Sequence, residues 1–139
     1  MASLIYDSTL EDEKRGNIDY DTDTFKAMLV TAAYTPNKGT HTKRSDVTNE
    51  VTGTGYTAGG VVVTNTIAKD TVNHRVDVTP SNPSWASSTI TARGAVIYKS
   101  RGGASSADEL VGYIDFGADV SSTAALFSLS ITAPYRTQN

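Results

Sequence analysis

From residue 24 to residue 132 the chain alternates short β-prone runs with clusters of turn residues, and that rhythm favours an all-β architecture over any other. The runs are Thr24–Thr31, Gly60–Ile67, Val72–Val78, Trp85–Thr91, Ala95–Lys99, Leu110–Phe116 and Phe127–Thr132. The breaks between them include Pro36-Asn37-Lys38-Gly39, Pro80-Ser81-Asn82-Pro83, Arg101-Gly102-Gly103 and a turn over 117–122. The pattern predicts about seven or eight strands in a sandwich, barrel or jelly roll. Residues 35–60 are too long for a hairpin and predict a packed excursion or a functional loop. With 139 residues the chain fits one domain, large enough to bury a core without cross-links.

The first 23 residues read differently. They carry seven acids and only two bases, whereas residues 26–50 have a net charge of +2. Ser8-Thr9-Leu10-Glu11 matches the S-x-x-E capping box and Gly16 suits a left-handed C-terminal residue, so a helix over 8–15 is predicted. It is too short to hold alone and needs packing through Leu4, Ile5, Tyr6 or Leu10. The composition break at Thr24 divides the chain into an arm or short helix (1–23), a β-domain (24–133) and a loose tail (134–139). Leu4, Ile5 and Tyr6 are then expected to dock on a partner, steered by the acids; the alternative is that this segment is an integral strand or helix.

Most familiar chemistries lack their parts. There is no cysteine, so no disulfide, thiolate nucleophile or cysteine-ligated metal site. No run of about 18 apolar residues is present, and the first residues lack the basic and apolar regions of a secretory signal. A net charge of −3 argues against broad nucleic-acid binding. Asp19, Asp21 and Asp23 alternate like calcium ligands, but positions six and twelve of that frame are Thr24 and Val30, where an EF-hand needs Gly and Glu. Gly53–Gly60 is glycine-rich but precedes a valine strand with no Lys-Ser/Thr, so its glycines serve positive φ or close backbone approach. His41 and His74 are the only imidazoles; His74, in step with Val72, Val76 and Val78, is expected on a half-buried strand face. No G-x-S-x-G elbow occurs. The expectation is a non-enzymatic protein with no catalytic residues, metal or cofactor. Candidate interface residues are Leu4, Ile5, Tyr6, Tyr34, Tyr56, Trp85 and Arg93; Trp85, the single tryptophan, reads more simply as a core plug near a sheet corner.

Four phrases, taken in order, carry a resemblance. They are Thr22–Lys26 leading to Leu29-Val30-Thr31 and Ala33–Pro36; Ser45–Val51 with Gly53–Gly60; Ser88–Arg93 with Ala95–Lys99; and Gly112–Gly117. Across about residues 18–132 the chain resembles small virion proteins of tailed bacteriophages, most nearly the head cementing (decoration) proteins of short-tailed phages. The resemblance implies a jelly roll or related antiparallel β-sandwich. It also implies homodimers on the outer capsid surface and contacts to major capsid protein subunits of the HK97-like fold, with no nucleic acid or membrane partner. A β-sandwich tail or fibre module binding a host glycan or protein is the alternative, and it would want Tyr34, Tyr56 and Trp85 exposed on loops.

Overall fold

The computed structural model describes residues 3–131 and 135–138. In chain order the elements are β1 (Leu4–Ile5), α1 (Asp7–Arg15), β2 (Phe25–Val30), β3 (Val61–Val63), β4 (Asn65–Asp70), β5 (Arg75–Pro80), β6 (Ser84–Lys99), β7 (Leu110–Ser128) and β8 (Tyr135–Gln138), with single 3-10 turns at Arg44–Asp46 and Ser105–Ala107. The eight strands form two antiparallel sheets, ordered β1-β7-β6-β2-β3 and β4-β5-β8. The fold is therefore all-β and sandwich-like, as the turn rhythm predicts.

The inner strands of the larger sheet are apolar without alternation because both faces are covered. Met28, Val30, Val96, Tyr98, Leu110 and Tyr113 point to one side, where Tyr6 and Tyr34 pack against them. Phe25, Ala27 and Ile97 point to the other and meet Ile18, Val63, Val111 and Ile131. Further along that side Leu29 and Ala95 meet Val51, Trp85, Ile90 and Phe127. Gly94 makes room for this packing, since a Cβ there would lie 2.4 Å from the Tyr113 ring.

Four expectations need correction. The breaks within 92–94 and 117–122 do not end strands. They are register irregularities inside one long β6–β7 hairpin, in which Ala92 pairs with Val120 and Gly94 with Asp115. Gly60–Ile67 is not one strand: the ladder passes from β3 in the large sheet to β4 in the small one across Thr64. His74 is exposed in the β4–β5 turn with φ 55°, because β5 starts only at Arg75. Nor is the tail loose over 135–138, since β8 pairs with β5 through Tyr135↔Val78 and Arg136↔Asp77. The boundary expected at 133–134 falls outside the described residues.

The N-terminal segment also belongs to the body rather than standing off as an arm. β1 pairs with β7 through Leu4↔Tyr113 and Ile5↔Gly112. Tyr6 is fully buried. Its hydroxyl lies 2.8 Å from that of Tyr34, which lies 2.9 Å from His41 Nδ1. Thr9 is buried with Oγ1 within reach of the Leu110 and Val111 carbonyls, at 2.7 and 2.9 Å. That anchoring moves the helix start to Asp7, so the N-cap is Tyr6 and the Ser8 capping box is not used. Gly16 ends the helix at φ 80°, as expected.

The excursion from β2 to β3 is packed down. Val51 N–H donates to Leu29 O at 2.9 Å. The Tyr56 hydroxyl donates to Glu50 Oε1 (2.7 Å) and accepts from Leu29 N–H (2.9 Å). Gly60 has φ 78°, and a Cβ there would sit 1.8 Å from Ala27 O, the close approach expected of this glycine run.

Candidate docking surface

The residues singled out in the sequence do not form one site. Tyr6, Tyr34 and Trp85 are buried core residues and present nothing to a partner, because each fills a space over the large sheet. Trp85 packs against Tyr56 and edge-on to Phe127, with ring centroids 5.9 Å away in both cases. Tyr56 is half-buried and held by Glu50. Arg93 is half-buried between Asp115 and Asp119, at 3.7 and 3.6 Å. Leu4 and Ile5 are half-buried and line an apolar groove of about 610 Å³ along β1 and β7, with Ile114, Phe116, Phe127 and Leu129.

The charged groups are largely spent on the fold. Asp108 and Glu109 are buried where β7 begins. Arg44 Nε reaches Asp108 at 2.8 Å and Arg101 grips Glu109 at 2.6 Å, with Lys43 at 3.7 Å. Burial pushes the Glu109 carboxyl up, but the Arg101 hydrogen bonds and the Lys43 charge outweigh it and hold it below the usual carboxylate range. Burial likewise opposes ionisation of Asp23, and Lys99 Nζ at 2.8 Å overcomes it. Arg44 also lies 5.1 Å over the Tyr98 ring, whose hydroxyl burial pushes up to about 12.

The carboxylates that look like calcium ligands instead close their own turn. Asp21 N–H donates to Asp19 Oδ1 and Asp19 N–H to Asp23 Oδ2. Among the described residues no group of three or more His, Asp or Glu is placed to hold a metal.

A second apolar opening, besides the groove along β1 and β7, lies on the small sheet. Directly opposed residues in an antiparallel ladder share a face. The register therefore sets Ile67, Val78 and Tyr135 in one row and Lys69, Val76 and Thr137 in the next. The opposite face carries Asp70, Arg75, Asp77 and Arg136, tied by Arg136–Asp77 and Arg75–Asp70 contacts at 2.7 and 3.4 Å. The apolar face is covered only in part. Val78 is buried, and Tyr135 leans on Tyr20 with centroids 6.3 Å apart. Ile67, on the edge strand of the same row, and Val76 in the next row are 48% and 38% exposed, and Leu10 of α1, across the groove, is 55% exposed. The space between measures about 430 Å³, with Ile18 and Gly16 also on its walls. Large apolar side chains gathered at one groove are what an interaction surface leaves uncovered.

Comparison with protein-family models, with curated proteins and with solved structures returns no match. Sequence reading missed this groove because Leu10 and Ile67 lie 57 positions apart and only the fold brings them to one opening. The usable signal was the pair Val76 and Val78, two positions apart on a half-buried strand; Val72, in the turn before it, does not belong to that face.

Proposed function

We propose that the chain is a structural virion protein without enzymatic activity, which binds the outer surface of a phage capsid and cements neighbouring major capsid protein subunits against internal DNA pressure. The observation that carries this reading is the incompletely covered apolar face of β4–β5–β8 beside α1, on a body whose larger sheet is filled on both sides. A cement needs a rigid scaffold and a modest contact repeated over a lattice. Linked binding events then give firm attachment although each contact is weak. The protein would act as a homodimer, as the resemblance implies and as closed two-fold assembly commonly provides. The tail or fibre reading asked for exposed loop aromatics, and burial of Tyr34 and Trp85 leaves it without that support.

The test is addition of the purified chain to mature capsids of the encoding phage that lack it, followed by sedimentation and mass measurement of the particles. Saturable uptake of many copies per particle, with raised resistance to heat, is expected. No uptake, or a few copies at a single vertex, overturns the reading.

A further inference from the structure

We infer that the groove between α1 and the small sheet receives a segment of the partner protein whose apolar side chains are flanked by Lys or Arg. The inference deepens the cementing reading and rests on it for the existence of a partner. The apolar requirement comes from Leu10, Ile67 and Val76, which converge on the groove while remaining about half exposed. The charge requirement comes from the wall beneath them. Glu13 and Asp19 line the groove on the α1 side. Residues 7–23 around them hold seven acids against Lys14 and Arg15, and Arg15 is engaged by Glu11 at 2.7 Å. Arg136 also borders the groove, but its guanidinium is taken up by two bonds to Asp77 on the sheet's opposite face, at 2.7 and 3.2 Å. The one cation on the apolar face of the sheet, Lys69, pairs with Val76 but does not line this groove; it borders a neighbouring hollow with Asp70 and Arg75. The opening is thus acidic on one side and apolar along its length, and a basic, apolar segment complements both.

The same charges argue against a second copy as the occupant. Two copies meeting here face to face would bring one strongly acidic segment against another, and like charges across an interface oppose association.

The probe is a short peptide alternating lysine and leucine, with a glutamate–leucine peptide as its control, titrated into the isotope-labelled full chain and followed by amide chemical shifts. Two variants accompany it. Ile67→Thr keeps a β-branched residue at an exposed strand position. The double variant Glu13→Gln with Asp19→Asn removes both charges yet keeps acceptors for the Tyr20 hydroxyl and the Asp21 amide. The lysine peptide is expected to shift amides of residues 10–20, 67 and 76–78. Its binding should fall about tenfold in Ile67→Thr and roughly three- to tenfold in the double variant. Absence of binding up to about 1 mM, shifts elsewhere, equal binding of both peptides, or undiminished binding in either variant overturns the inference. The titration contains no capsid. Capsids that refuse a protein whose groove binds the peptide therefore overturn cementing alone, and unchanged uptake of Ile67→Thr by capsids overturns the groove alone.

Discussion

Replacing Tyr6 by Ala separates an N-terminal segment that belongs to the fold from one that merely follows it. The side chain is fully enclosed by Met28, Val30, Tyr34, Val96 and Tyr113, among others. Deleting a buried aromatic side chain to Ala costs about 3–5 kcal/mol, through lost transfer energy and the cavity left behind. A domain of this size is stable by only ~5–15 kcal/mol, so the loss is a large share of the total. At roughly 3–5 °C per kcal/mol the melting temperature should fall by about 10–20 °C. Tyr6→Phe keeps the ring and removes only the hydroxyl that meets Tyr34, so about 1 kcal/mol is expected. Leu10→Ala, four positions later, should cost under ~0.5 kcal/mol because that side chain is more than half exposed. Urea unfolding of the three variants, with m-values compared, measures all three costs. A Tyr6→Ala protein within about 1 kcal/mol of the parent would refute the packing and restore the picture of an independent arm.

Acid should unfold the protein through Glu109 and Asp23. Both carboxyls are held below their ordinary values in the folded chain, so their contribution is complete above those values and is lost as pH falls below about 4.5 for Glu109 and about 3.8 for Asp23. Glu109→Gln should flatten the dependence of melting temperature on pH in that window and lower melting at pH 7 by roughly 5–10 °C; an unchanged acid slope counts against the assignment. Gly60→Ala should cost at least ~2 kcal/mol, since it meets both a positive φ and the Ala27 carbonyl, and calorimetry showing no loss would contradict that close approach.

Strand positions were legible where burial is two-sided and the apolar run is unbroken, as at Ala27–Val30 and Ala95–Tyr98. They were illegible where strands bend. Gly117 and the serines after it carry turn chemistry, yet hairpin pairing over β6 overrides it and leaves only a change of register. The division at Thr64 had no local mark, because a chain leaving one sheet for another keeps the same β-prone residues. The acidic composition of residues 1–23 suggested a solvated arm. It describes the outward face of α1 and says nothing of Thr9, whose single buried hydroxyl seats the helix on β7. The aromatic residues were unevenly readable: Trp85 reads as a core plug near a sheet corner and is buried in the core, whereas Tyr34, in a polar stretch, looks like a surface residue until the excursion folds over the sheet.

The seat of the helix on β7 also sets an order of events during synthesis. Thr9 and the Leu110 carbonyl it meets are 101 residues apart in the chain. On the ribosome residues 4–9 emerge long before their partner strand exists, and a helix this short does not persist alone. The β6–β7 hairpin, closed by about ten residues, can form as soon as it leaves the tunnel. Residues 4–9 must then be captured by β7, the kind of distant closure that slows folding. Through that interval Leu4, Ile5 and Tyr6 remain uncovered, and the charges that follow them keep the unfinished chain in solution until β7 arrives.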